Sequence, residues 1–219
     1  MFRRRFGLML LVGLVLSTTH ARAGGTASGL TAAQRAELTR HFGFGPLEVF
    51  KIEKGISQLR PVDVNGDGRN DLVLANNAKS TIEVLLQRAE PPDDPEQPKE
   101  VNDLVNPWRF ERKPVSVTWR VDCLKVADVT GDGNVDLIFY GEPQELVVLP
   151  GNGDGDFRDA LTWRVRDGLS LSACLDVGDL DGDGRDDVAL LGKSDVIVFT
   201  QKSGGGLNLP RAFAHALDN

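Results

Sequence analysis

Three nine-residue segments carry oxygen-bearing side chains at positions 1, 3, 5 and 9. They are Asp63, Asn65, Asp67 and Asp71; Asp128, Thr130, Asp132 and Asp136; and Asp179, Asp181, Asp183 and Asp187. Alternate residues of a tight loop turn their side chains inward, so four such oxygens can converge on one hard cation, and an all-oxygen cage is what calcium takes. Gly68, Gly133 and Gly184 fall at position 6, where the chain has to turn sharply around the ion. An EF-hand closes its cage with Glu at position 12; here that position holds Leu74, Phe139 and Leu190, which excludes the EF-hand and leaves position 9 to close the cage. A single Asp-Gly turn is most simply a solvated turn. Three copies in register point to calcium, at about three sites.

Elements of matching type must hold these loops. Each runs into an apolar strand, Asp71-Leu-Val-Leu-Ala, Asp136-Leu-Ile-Phe-Tyr and Asp187-Val-Ala-Leu-Leu. Leu59 to Asp63, Leu124 to Asp128 and Leu175 to Asp179 read as strands leading into the loops, and Thr81 to Gln87, Leu146 to Pro150 and Val196 to Thr200 as the strands that follow. Leu47 to Ile52 alternates as a stray outer strand. The loops start 65 and 51 residues apart, and a unit of that length with about four strands suggests a propeller blade. Upstream, Thr31-Ala-Ala-Gln34 resembles a capping box and predicts a short helix over Ala32 to Phe42, ended by Gly43, that packs or tethers. Arg88 to Pro107 holds five prolines among six acidic residues and reads as an irregular surface insertion.

The first 23 residues predict a secretory signal peptide, with Arg3, Arg4 and Arg5 before a short apolar core and an Ala21-Arg22-Ala23 cleavage site. That core is too short to span a bilayer comfortably, so no transmembrane span is expected in the mature chain. The expected organisation is 1–23 signal peptide, 24–44 helical segment and 45–219 repeat region, in a secreted or periplasmic protein. The full chain has 25 Lys and Arg against 32 Asp and Glu; removing four arginines and no acid with the signal leaves 21 against 32, a net charge of −11. Ten of those carboxylates sit in the three loops, and three divalent ions would bring the charge to −5. The acidity is ligand field more than polyanionic surface, and with no basic stripe interleaved with aromatics, nucleic acid is not an expected partner.

The aspartate loops and their strands, with the turn Leu149-Pro150-Gly151-Asn152-Gly153-Asp154-Gly155-Asp156-Phe157, resemble the FG-GAP/VCBS repeat found in integrin alpha heads and many secreted bacterial proteins. The resemblance covers about residues 45 to 205. It implies an all-β fold, each repeat one blade of a β-propeller, with calcium between the first and second strands of the blade. The implied ligands are Asp63, Asn65, Asp67 and Asp71 in the first blade, Asp128, Thr130, Asp132 and Asp136 in the second, and Asp179, Asp181, Asp183 and Asp187 in the third. Arg69, Asn134 and Arg185 at position 7 would each give a backbone carbonyl. The chain departs from the family in number, since it holds about three four-stranded blades after the short helix while a closed propeller typically needs at least four. An open arc, part of a larger assembly and a truncated product are the alternatives; self-association or further blades would cover the open edges.

A catalytic inventory is thin. The histidines are His20, His41 and His215, none inside the blades, and Cys123 and Cys174 have no nearby His. Tyr140 reads as core; Trp108, Trp119 and Trp163 can stack on sugars, though blade-to-blade packing is the commoner use. The expectation is therefore a non-enzymatic module that binds an extracellular protein or glycan, with polysaccharide-degrading chemistry on the same fold as the alternative. Alignment on the first loop aspartate puts Cys123 and Cys174 five residues upstream and Lys125 and Asp176 three upstream. A Lys125 to Asp176 contact follows, while the cysteines are either bridged between blades or isolated buried thiols.

Overall fold

Each acidic loop delivers the chain directly into a strand, because its ninth residue is the strand's first: Asp71, Asp136 and Asp187 open three apolar segments. The computed structural model describes residues 52–91, 93 and 108–214, with Thr31 and Phe50. Contacts divide the chain into two units, Met1–Leu47 and Glu48–Asn219, and the strands described all belong to the second. The expected signal segment, the helix over Ala32 to Phe42, the three histidines and most of the insertion lie outside the described residues. Among the described residues, no helix is long and apolar enough to cross a membrane.

The strands form three four-stranded antiparallel sheets, each a meander in sequence order, so the described part is all-β and blade-like. Sheet 1 holds β1 (Ile56–Val62), β2 (Asp71–Asn76), β3 (Thr81–Gln87) and β4 (Phe110–Ser116). Sheet 2 holds β5 (Arg120–Ala127), β6 (Asp136–Glu142), β7 (Glu145–Leu149) and β8 (Leu161–Arg164). Sheet 3 holds β9 (Leu175–Gly178), β10 (Asp187–Leu191), β11 (Asp195–Phe199) and β12 (Arg211–Ala214). The fourth strand of sheet 1 is β4; of the stray strand expected over Leu47 to Ile52 only Phe50 and Ile52 are described, neither in a strand, and the rest lies outside the described residues. As an edge strand, β4 tolerates Pro114, which cannot donate to a ladder.

The first strands of the three sheets neighbour one another, β1 beside β5 and β5 beside β9, and are tied by side chains instead of a ladder. Arg60 Nε donates to the Leu124 carbonyl at 2.8 Å and Gln58 Nε2 to the Asp122 carbonyl at 3.1 Å. Asn77 exchanges two 2.8 Å bonds with the Val121 backbone. Because side chains alternate across a strand, β6 gives Leu137 and Phe139 to the core shared with sheet 1 and Ile138 and Tyr140 to the core shared with sheet 3. The inner strands of sheet 2 are thus buried on both faces. Trp119 meets Phe139 edge-on in the first core and Trp163 meets Phe199 in the second, each with ring centroids 6.0 Å apart. The packing reading holds for both tryptophans and for Tyr140, whose hydroxyl donates to the Val165 carbonyl at 2.9 Å. Each fully buried Val, Leu, Ile or Phe contributes roughly 1.5–3 kcal/mol.

Aligned on the ninth loop aspartate, the sheets repeat the same forward face. Val64, Val73, Ala75 and Val84 of sheet 1 lie against sheet 2; Val129, Ile138, Tyr140 and Val148 of sheet 2 lie against sheet 3; all are buried. The matching residues of sheet 3 are Leu180, Ala189, Leu191 and Val198, equally apolar, yet Leu180 is 54% and Leu191 38% exposed.

Candidate metal centre

The loops owe their shape to the first aspartate. Asp63 Oδ1 accepts the amides of Gly66 (2.8 Å) and Asp67 (3.1 Å), and its Oδ2 accepts the Gly68 amide (2.7 Å). Asp128 holds Gly131, Asp132 and Gly133 in the same way, and Asp179 holds Gly182, Asp183 and Gly184. Such a wrap needs left-handed backbone at positions 4 and 6. Gly66 and Gly68 have φ of 74° and 82°, and the paired glycines of the other loops repeat this, so both positions suit glycine. The bonds to the Gly184 and Gly182 amides hold the Asp179 carboxyl below the usual carboxylate range.

The ninth aspartate, fully buried in every loop, is a staple. Asp71 Oδ2 accepts the Val64 amide (2.9 Å) and Oδ1 the Gln87 amide (2.7 Å), joining the loop to the end of β3. Asp136 takes the amides of Val129, Thr130 and Gly151; Asp187 takes those of Leu180 and Gln201. Burial pushes the Asp136 carboxyl up, against the pull of the Gly151 and Thr130 amides. A carboxylate oxygen has two lone pairs, so accepting an amide does not remove it as a ligand.

The fifth aspartate meets a guanidinium in all three loops. Arg69 Nη2 lies 2.5 Å from Asp67 Oδ2, Arg185 pairs with Asp183, and in the second loop, where position 7 is Asn134, Arg158 arrives from beyond β7 to pair with Asp132. Although lost hydration works against it, the amide and guanidinium of Arg69 hold Asp67 low, and the Asn134 amide with Arg158 does the same for Asp132. The position-7 side chains therefore do more than the expected carbonyl role required. Nothing in the loop sequence signals Arg158, which lies 26 residues from Asp132.

At position 3 the loops diverge. Asn65 Nδ2 donates to Asp67 Oδ2 at 3.0 Å, and Thr130 Oγ1 lies 3.4 Å from Asp136 Oδ1. Asp181 adds a fourth carboxylate to the third loop and is pushed above the usual range by lost hydration and by repulsion from Asp183, Asp187 and Asp179. Among the described residues, Asp179, Asp181 and Asp187 form the one group of three with oxygens all within 4.8 Å of one another. All-oxygen, with Asp179 and Asp181 exposed and Asp187 buried beneath them, this set fits a hard cation such as calcium. The first and second loops bring together the same aspartates at positions 1, 5 and 9 without such a triad.

The loops differ too in what covers them. The glycine-rich turn after β11 sits on the second loop: Gly206 N donates to the Thr130 carbonyl at 3.1 Å, and Gln201 Nε2 to that of Asp128 at 3.1 Å. A Cβ on Gly205 would lie 2.5 Å from the Thr130 oxygen, so a side chain there is excluded. Among the described residues nothing comparable covers the third loop, which lies beside a depression of about 350 Å³ lined by Leu180, Asp181, Val198, Leu209, Arg211 and Phe213.

Residues 128–190, which span the second and third loops, match the FG-GAP-like repeat family. Among solved structures, one of an Agrocybe aegerita lectin that recognises non-reducing terminal N-acetylglucosamine is similar at 19% identity and a TM-score of 0.44, covering 74% of this chain and 39% of that one. A structure of TcdB2-TccC3-Cdc42 is similar at 13% identity and a TM-score of 0.26, covering 74% and 12%. The chain thus spans well under half the length of both. Comparison with curated proteins gives no match.

Proposed function

We propose that this FG-GAP-repeat chain is an exported, calcium-stabilised binding module without catalytic activity of its own, and that it docks through the outward face of sheet 3. Asp181 carries the reading, because it belongs both to the carboxylate triad of the third loop and to the lining of the adjoining depression. In the triad Asp179, Asp181 and Asp187 would hold the cation, with Asp183 and the Arg185 carbonyl beside them. Bound calcium would neutralise the triad's mutual repulsion and fix Leu180 and Asp181 at the rim of the face. The partner class favoured is a protein surface, since the matching faces of sheets 1 and 2 are covered by another sheet. A second copy fits, because the face carries Asp181 and Arg211 together and an isologous contact can pair each with the other.

A glycan ligand is the second reading, favoured by the exposed Phe213 ring beside Asp181 and Arg211 in a depression of ligand size. Light scattering on the full chain in calcium and in chelator, run with Phe213→Asp and beside a glycan array and a turnover assay on acidic polysaccharides, decides between them. Calcium-dependent self-association abolished by F213D supports the protein reading. Array retention by a monomeric chain replaces it with the glycan reading, and turnover overturns the non-enzymatic one.

A further inference from the structure

We infer that Cys123 and Cys174 are the two halves of a disulfide that locks sheet 2 to sheet 3. Their Sγ atoms lie 2.7 Å apart, 51 residues apart in sequence, and each residue is 1% exposed. Both side chains sit in the core between those sheets. Backbone geometry on each side aims them at each other. Cys123 lies at the irregularity in the β5–β6 register, directly after the shift from Val121, and pairs with Tyr140. Cys174 precedes β9 and is held by its carbonyl, which accepts the Leu191 amide at 2.7 Å, and by its own amide, which donates to the Leu171 carbonyl at 3.2 Å. Two residues further along each segment, Lys125 of β5 and Asp176 of β9 make a 2.7 Å ion pair, so the chain is aligned at both levels.

The chemistry supports the same pairing. The contact between the two thiols draws the Cys174 pKa down, and the same contact, with burial, pushes that of Cys123 up. As its thiolate, Cys174 can make the first attack. It displaces one thiol from a small-molecule disulfide such as oxidised glutathione, forming a mixed disulfide; Cys123 loses its proton and attacks Cys174 Sγ, releasing the second thiol. Two S–H bonds are lost, one S–S bond forms, and the oxidant's disulfide is reduced to two thiols. Since both sulfurs are buried, the exchange belongs to the stage at which sheets 2 and 3 dock, and burial afterwards slows reduction.

The test is intact-mass and peptide analysis of the full chain, refolded in oxidised and reduced glutathione and alkylated unreduced under denaturing conditions. The expected product carries no label, weighs about 2 Da less than the reduced chain, and yields a peptide joining Cys123 to Cys174. Two labelled cysteines per chain, or pairing only between chains, overturns the inference. The wild-type melting temperature should fall by about 10 °C on reduction. The C123A/C174A variant should show no such shift; an equal shift in that variant would also overturn the inference.

Discussion

Lys125 Nζ lies 2.7 Å from Asp176 Oδ1, bridging β5 of one sheet and β9 of the next. The Lys125 bond holds the Asp176 carboxyl below its usual range, but Asp176 is 79% exposed and water screens the pair. A double-mutant cycle with Lys125→Ala and Asp176→Ala, read by urea unfolding, should give a coupling below about 1 kcal/mol, falling with added salt. A coupling of several kcal/mol would mean that the pair is far better desolvated than its exposure indicates.

The ninth aspartates should matter to stability even with no cation bound. Asp136→Ala strands the amides of Val129, Thr130 and Gly151. A buried donor left without an acceptor costs about 1–3 kcal/mol. Urea unfolding in excess chelator should therefore show D136A destabilised by several kcal/mol, with Asp132→Ala, at an exposed loop position, well under half of that. Equal effects would mean that the three amide bonds of Asp136 add nothing to the fold.

Glu83 gives a pH signature on the opposite side of sheet 1. Its carboxylate is 1% exposed, accepts Arg112 Nε and Nη2 at 2.7 and 2.8 Å, and is held low first by Arg112 and then by Thr81, against the opposing effect of burial. A carboxyl whose folded pKa is depressed stabilises the fold above its unfolded value, about 4.3, and that stability disappears as pH falls through the folded value. Glu83→Gln should cost about 2 kcal/mol at pH 7 and progressively less toward pH 3, in unfolding curves collected across that range. A cost independent of pH would locate its effect in packing.

Asp181 should show a crossover. Lost hydration, and after it repulsion from Asp183, Asp187 and Asp179, raise its pKa, and affinity for calcium rises with ligand charge. Asp181→Asn should melt above wild type in chelator and below it in millimolar calcium, where each occupied site adds about 2.7 kcal/mol at a hundredfold excess over its Kd. Calorimetry should find the tightest site lost in D181N and kept in Asp132→Ala. If D132A loses it instead, the second loop is the stronger site.

The acidic loops and inner strands were legible because their chemistry is local: aspartates at fixed spacing, glycines where φ is positive, and apolar residues that begin at the ninth position. The outer strands were not. β8 reads Leu-Thr-Trp-Arg and β12 Arg-Ala-Phe-Ala, short and almost wholly exposed, so no buried face imposes an alternating pattern on them. Nor could spacing distinguish the ninth aspartate as a staple from the same residue as a ligand, since its partners Gln87, Gly151 and Gln201 are 14 to 16 residues away. The Lys125–Asp176 pair was readable because the repeats align residue by residue. Arg158 broke that alignment.

The inner strands of sheet 2, β6 and β7, have no solvent-facing side, and this makes that sheet the keystone of cooperativity. A stack of units that touch only their neighbours is held by its interfaces, and the middle member takes part in both. Fraying can begin at β12, all of whose residues are exposed, and stop at the sheet 2 boundary, whereas opening β6 breaks both cores at once. Amide exchange should accordingly be graded along the chain, slowest across Leu137 to Tyr140, with those amides opening only when the whole array does.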